Sequence, residues 1–308
     1  MKIIKPPALK LRDTIAVVSP ASPAESIRFD NAVKKLKELG YNAVEGAHSR
    51  TKLNYFAGGD IHRAEDFNRA LNSPDIKAVF SSRGGYGCSR ILPMIDSSAL
   101  SAHPKIITGG SDLTALLWAL HQRTGLVTFF APMALEIGEG LDTFSAELFW
   151  RAMRGELAGE VVFPADYEPV KIHRGKAKGC LIGGCLSLVV TLLGTEYFGD
   201  IDGKILFLED IGEKPFRIDR MLTHLRNAGV FNRIAGLLLG DFYHCWDDSD
   251  DVFSLEEIID QVLGDSEIPI MANLPFGHGK QKMTLPLGVE VEMDADEKKL
   301  IFLEEGEL

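Results

Sequence analysis

The sequence predicts an α/β protein: a mostly parallel sheet with helices on both faces, followed by a second α/β domain. Three observations predict it. Short apolar runs alternate with amphipathic stretches from Thr14 to Phe130, glycine-rich turns follow directly on two of those runs, and a stretch broken by prolines and charges precedes a second alternating pattern. Such alternation builds parallel strands joined by helical crossovers, and ligands gather at the carboxyl ends of the strands.

The elements follow in order. Thr14 to Ser19 (TIAVVS) is a short buried strand closed by Pro20. Glu25 to Leu39 spaces Ile27, Val33, Leu36 and Leu39 for one helix face, with Gly40 as its stop. Tyr41 to Val44 is a second strand, and Asp60 caps a helix that runs to about Leu71 before Pro74. Ile76 to Ser81 (IKAVFS) leads into Arg83-Gly84-Gly85-Tyr86-Gly87, Ile106 to Thr108 leads into Gly109-Gly110-Ser111, and Leu126 to Phe130 is a fifth strand. Both glycine-rich turns are therefore expected on one edge of the sheet.

From Gly155 to about Lys178 the pattern fails at Pro164, Pro169 and scattered charges. That reads as a linker, giving domains at 1–155 and 179–308 with the linker at 156–178. In the second domain, Gly184 to Leu193 reads as a short apolar helix, and Lys204 to Leu208 (KILFL) as a strand ending in Glu209-Asp210. Arg217 to Ala228 is a helix stopped by Gly229, and Ile234 to Leu239 a strand. Ser254 to Leu263 is a helix with Ser254 and Glu257 as a capping box. Ile268 to Asn273 leads into Leu274-Pro275-Phe276-Gly277-His278-Gly279, and Val289 to Met293 with Lys299 to Leu303 reads as a closing hairpin. No internal repeat is present.

The bulk numbers bound the function. With 308 residues, 45% hydrophobic and 25% charged, the chain has the balance of a globular protein of one large or two medium domains. No apolar run reaches the roughly 18 residues that span a bilayer; Cys180 to Gly194 is too short and contains Gly183-Gly184. Pro6-Pro7 interrupts any signal-peptide core behind Lys2 and Lys5, so a cytoplasmic protein with no membrane partner is expected. A net charge of −11 without a basic stripe argues against nucleic acid. Cys88, Cys180, Cys185 and Cys245 lack zinc-knuckle spacing and read as reduced thiols. The run Asp247 to Asp251 (DDSDD) lacks the glycine and glutamate of a calcium loop and reads as a solvated acidic loop.

The most informative stretch is Lys105 to Gly125, KIITGGSDLTALLWALHQRTG. Ser111 is pinned between a strand end and a helix start, where its hydroxyl is exposed and the amides behind it can stabilise negative charge. The same position suits a plain helix N-cap, and glycine-rich turns also bind phosphate. A nucleophilic serine needs a base, usually a histidine oriented by a carboxylate. Among eight histidines, His278 stands between two glycines just after a strand. Glu209 ends an apolar strand, where an acid must be solvated or paired; Asp210 beside it is the alternative.

These stretches resemble one family. GGSDLTALL around Ser111, FLEDIGEKPFRIDRML around Glu209 and PFGHGKQKMTLPLG around His278 are similar to the LD-carboxypeptidases, or muramoyltetrapeptide carboxypeptidases. SPAS at Ser19 to Ser22, FAGGDIHRAEDFNRAL at Phe56 to Leu71 and SSRGGYG at Ser81 to Gly87 match in the family's order, so the resemblance runs over essentially the full length. It implies a flavodoxin-like or glutamine-amidotransferase-like amino-terminal sheet and a carboxy-terminal domain with a mixed, barrel-like sheet. It implies Ser111 as nucleophile, Glu209 as orienting acid and His278 as general base, in a cleft between domains. The backbone amides of Asp112 and of the Gly84-Gly85 turn, with Gly85 preferred, would hold the oxyanion, and the Asp112 carboxylate would only cap the following helix. No metal or cofactor is needed. The family's substrate is a cytoplasmic murein tetrapeptide that loses its terminal D-alanine, in peptidoglycan recycling; a homodimer is compatible with this.

The family also contains the self-immunity peptidases that inactivate microcin C. That activity would need an aromatic surface for a nucleobase, such as Tyr243 or Trp246. Arg83, Lys214, Arg217 and Lys280 lie near the motifs, and each suits a substrate carboxylate or an ion pair equally. An α/β-hydrolase esterase shares the order serine, acid, histidine, but Leu113 replaces the second glycine of its elbow. A non-catalytic two-lobed binding protein would use the glycine turns only to hold ligand.

Overall fold

The computed structural model describes residues 2–165, 167–247 and 252–307. Most of the acidic run at Asp247 to Asp251, from residue 248 onward, lies outside the described residues. The chain divides into two units. One comprises residues 1–157, 283–288 and 305–308, the other 158–282 and 289–304.

The first unit begins with β1 (Thr14–Val18), α1 (Ser26–Glu38), β2 (Asn42–Glu45), α2 (Asp60–Asn72) and β3 (Ile76–Ser81). It continues with α3 (Cys88–Ile91), β4 (Ile106–Gly109), α4 (Thr114–Thr124), β5 (Thr128–Phe130), α5 (Ala134–Glu139) and α6 (Thr143–Arg154). β1 and β3 are almost wholly buried, which is why they read as continuous apolar runs rather than alternating ones. α1 packs on β2 and α5, α2 on β1 and β3, and α4 on β4 and β5. α4 has buried residues at every position from Thr114 to His121, so it is a core helix.

The second unit holds β6 (Gly159–Glu160), β7 (Val170–His173), β8 (Lys176–Cys185), α7 (Leu186–Leu192), β9 (Ile205–Ile211) and α8 (Pro215–Asn227). After them come β10 (Gly236–Tyr243), α9 (Leu255–Leu263) and β11 (Ile270–Ala272). The chain then contributes β12 (Leu285–Leu287) to the first unit before returning with β13 (Glu290–Asp294) and β14 (Lys299–Phe302).

The first sheet has the order β12-β5-β4-β3-β1-β2, with all pairs parallel except β12 on β5. β12 contains Pro286, which a sheet tolerates at an edge. The second sheet has the order β6-β14-β13-β8-β9-β10-β11-β7 and mixes parallel and antiparallel pairs. The sheet is mixed, as expected; its end strands β6 and β7 do not pair with each other among the described residues, so it forms no closed barrel.

The stretch 156–178, read as a linker, carries β6, β7 and the start of β8. β8 extends to Cys185, and the helix expected from Gly184 begins only at Leu186. The hairpin expected near the carboxyl end is β13 on β14, antiparallel, and the Ser254/Glu257 capping box is formed at the start of α9.

Phe207 of β9 is fully buried and meets Phe276 edge to face at 5.8 Å, at the start of the loop that holds His278. Phe207→Ala is expected to lower the stability of the second unit by about 3–5 kcal/mol. Urea unfolding measures this, and a loss under about 1 kcal/mol would show that the ring is not a core anchor.

Candidate active site

In the first unit the chain leaves β4 through Gly110, which is extended, into a 3₁₀ turn over Ser111–Leu113 that feeds α4. Ser111 has φ +55°, a left-handed backbone that a serine adopts at a cost. The N-cap positions of the 3₁₀ turn and of α4 belong to Gly110 and Leu113, so Ser111 caps neither. It is partly exposed, at the carboxyl end of a buried parallel strand. A serine held in this conformation at a strand-to-helix turn is the geometry of a nucleophile elbow.

The glycine turn after β3 lies against it. A side chain on Gly84 would put its Cβ 2.8 Å from Ser111 Cβ and 3.5 Å from the Asp112 nitrogen, so only glycine lets the two turns meet. Asp112 is buried, and its Oδ2 accepts from the Cys88 backbone N–H at 2.8 Å. Its carboxylate thus ties the serine turn to the end of the glycine turn, where helix capping was expected. Burial pushes its pKa up, and the Cys88 amide pulls it back.

Two residues without an assigned role in the sequence brace this arrangement. Arg63, fully buried on α2, donates to the carbonyls of Pro20 and of Gly87, the latter at 2.9 Å, and pairs with Asp60. The Ser22 N–H donates to the Gly84 carbonyl at 3.4 Å, and the Ser22 hydroxyl accepts from the Tyr86 N–H at 3.3 Å. Their signal was present in the SPAS and HRAEDF stretches, but only the fold shows that both grip the turn at Gly84 to Gly87.

In the second unit, Glu209 lies near the carboxyl end of β9 with no exposed surface. His278 is in the loop after β11, and its Nδ1 is 2.6 Å from Glu209 Oε2. A carboxylate can only accept, so Nδ1 carries a proton, and in the neutral ring Nε2 keeps its lone pair. Burial lowers the His278 pKa, and the Glu209 carboxylate, by hydrogen bond and by charge, more than offsets this, leaving it above its ordinary 6.5. Burial likewise lifts Glu209, and His278 draws it down. Asp210, the alternative acid, is otherwise engaged: its oxygens accept from the Ser187 and Ile211 amides, each at 2.8 Å, and from the Cys185 thiol at 3.4 Å.

The structure therefore groups Ser111, Asp112, Gly84 and Gly85 in the first unit, and Glu209 with His278 in the second. Of the charged residues near the motifs, Arg217 pairs with Glu213 at 3.3 Å, while Arg83, Lys214 and Lys280 are exposed. Trp246 uses its indole N–H to hold the Phe253 carbonyl at 2.8 Å, and Tyr243 is exposed. Among the described residues, no group of three His, Cys, Asp or Glu side chains is gathered to hold a metal, and no helix is long and apolar enough to cross a membrane.

Sequence comparison matches residues 15–131 to the LD-carboxypeptidase N-terminal domain and residues 178–293 to the LD-carboxypeptidase C-terminal domain. The probable murein peptide carboxypeptidase of Bacillus subtilis is 37% identical over 301 residues, covering 96% of this chain and 93% of that protein. The murein tetrapeptide carboxypeptidase of Pseudomonas aeruginosa is 34% identical over 284 residues, covering 89% and 91%.

The chain belongs to the LD-carboxypeptidase family.

Among solved structures, that of the microcin C7 self-immunity protein MccF in complex with glutamyl sulfamoyl guanosine is similar, with a TM-score of 0.92, 28% identity and 99% of both chains covered. This LD-carboxypeptidase is thus a serine-type carboxypeptidase by family, with both family domains present in their order.

Glu209→Gln removes the charge that raises the His278 pKa and leaves the burial that lowers it. The His278 midpoint, read by NMR titration of its ring protons, is expected to fall below 6.5; an unchanged midpoint would show that Glu209 does not set it.

Proposed function

We propose that this LD-carboxypeptidase removes the terminal D-alanine from murein tetrapeptides, cutting the amide that joins it to the L-centre of a diamino acid. The observation that carries the mechanism is the 2.6 Å contact between His278 Nδ1 and the fully buried Glu209. It leaves a basic Nε2 to serve a serine, and Ser111, strained at its turn, is the serine the chain presents. The names of the Bacillus and Pseudomonas relatives support the substrate class.

In this reading His278 takes the Ser111 proton as the hydroxyl attacks the carbonyl. The amides of Asp112 and Gly85 hold the oxyanion, each contributing about 2.7–4 kcal/mol. Gly85 is preferred because the α-carbon before its amide lies beside Ser111. His278 then protonates the leaving amine, and water resolves the acyl-enzyme by the same route. Glu209 stays ionised and supports the imidazolium. The nucleophile belongs to the amino-terminal domain and its two helpers to the carboxy-terminal one. Four free thiols suit a reducing compartment, so the reaction is assigned to the cytoplasm, as part of peptidoglycan recycling; a homodimer is the proposed assembly, and light scattering tests it.

A second reading within the family is hydrolysis of a microcin-like aminoacyl nucleotide, favoured by the match to MccF with its sulfamoyl guanosine. Incubating the protein with a murein tetrapeptide and with such a conjugate, followed by mass spectrometry, separates the two. Loss of one alanine from the tetrapeptide is expected.

Ser111→Ala is expected to reduce kcat by a factor on the order of 10⁶, and near-normal turnover would remove the proposal. The rate is expected to fall with pH through the His278 pKa, because the protonated imidazole cannot accept the serine proton. Since that pKa is raised, the midpoint of the acid limb lies above 6.5. A flat profile from about pH 5 to 8 would argue against a histidine base.

A further inference from the structure

A second acid stands beside His278 that the proposed chemistry does not use. Asp241 lies on β10, the strand next to β9, and is half-buried. The Tyr167 hydroxyl approaches its two carboxylate oxygens at 3.1 and 3.3 Å. The backbone of Gly279, the residue after His278, lies against this carboxylate, and its N–H favours the ionised form. A Cβ on Gly279 would fall on that carboxylate, so the loop can approach only as glycine. The Asp241 N–H in turn donates to the Phe276 carbonyl at 2.8 Å.

The loop is held at its other end as well. Lys282 Nζ donates to the Gly277 carbonyl at 3.0 Å, and Gly277, at φ +117°, would put a Cβ 2.7 Å from Glu209 Oε2. Two glycines around a histidine leave a chain with wide conformational freedom. Glu209 holds only the imidazole, so the backbone on which that imidazole hangs needs its own anchors.

We propose that Asp241, braced by Tyr167, is a positioning residue that fixes the Gly277–Gly279 backbone and thereby aims the imidazole of His278. The inference rests on the reading of His278 as general base. Burial lifts the Asp241 pKa to about 6. The Tyr167 hydrogen bond, the Gly279 amide and Lys282 pull it down, and the charge of Glu209 pushes it up. The carboxylate is therefore ionised at neutral pH and is a strong acceptor for the Gly279 amide. The role needs an acceptor at this position, not contact with substrate.

The test compares Asp241→Ala, Asp241→Asn and Tyr167→Phe in the full-length protein, with a murein tetrapeptide as substrate. Asp241→Ala is expected to lower kcat about 10²-fold with KM kept within about twofold, the scale for a misplaced catalytic group. It should also shift the His278 pKa, read by NMR, as the contact with Glu209 loosens. Asp241→Asn keeps a carbonyl for the Gly279 amide and should restore kcat to within about tenfold of the parent. Tyr167→Phe removes the brace and should shift the His278 pKa in the same direction as Asp241→Ala, which keeps the test open if that variant does not fold. An unchanged His278 pKa in both Asp241→Ala and Tyr167→Phe, an Asn variant as impaired as Ala, or a rise in KM with kcat retained would overturn the proposal. The NMR readout needs no turnover, so a failure of the carboxypeptidase reading would show separately, as a parent protein that does not cleave the peptide.

Discussion

Glu209 has no exposed surface, and a carboxylate in that position is stable only where a partner supplies charge or hydrogen bonds. His278 supplies a hydrogen bond to one oxygen, and charge as well once its ring is protonated; Oε1 has no hydrogen-bond partner among the described residues. Much of the second unit follows from this demand. In the sheet order β8-β9-β10-β11, the strand that leads to His278 is two places from the strand that bears Glu209, so the loop must lean back over β10. The Asp241 amide donates to the Phe276 carbonyl, and the ring of Phe276 packs on Phe207 of β9. Removing either member of a buried pair of this kind leaves the other uncompensated, at a cost of about 3–5 kcal/mol.

The first unit meets a different demand with similar means. Ser111 holds a left-handed backbone, which persists only where its surroundings over-determine it. The serine turn is tied to the glycine turn through Asp112 and Cys88. That turn is tied to the end of β1 and to α2 through Ser22 and Arg63. α4, buried at every position from Thr114 to His121, gives the turn a rigid base. Strain at the serine is thus held by side chains from three separate stretches of the chain.

The residues at the two centres were legible because each sits where a regular pattern breaks: a serine after paired glycines, an acid at the end of KILFL, a histidine between glycines. Strands β1, β3, β4 and β5 of the first sheet were legible for a related reason, since they are short, largely apolar runs beside helices. β8 was not. Its glycines suppress any strand pattern, and their use is spatial: the Phe207 carbonyl lies where a Gly183 side chain would begin. β12 was also hidden, because a three-residue strand containing Pro286 has no periodicity and exists only through pairing with β5 across a long stretch of sequence. The roles of Arg63 and Asp112 depend on partners in other turns, and no spacing along the chain reveals them.

Glu209 and Asp210 show how the pleat divides labour between neighbours. Successive strand residues point to opposite faces, so only one of two adjacent acids can meet His278. Glu209 does so with a longer side chain, while Asp210 turns to the Ser187 amide at the start of α7 and satisfies a donor that the helix itself leaves open. Each acid is buried and each has its own obligation, one to fold and one to the imidazole. Exchanging their roles would require a one-residue slip of β9 between β8 and β10. Such a slip would turn the apolar side chains of ILFL to the wrong faces of the sheet. The register of the central strand, set by its core residues, therefore selects which carboxylate faces the histidine.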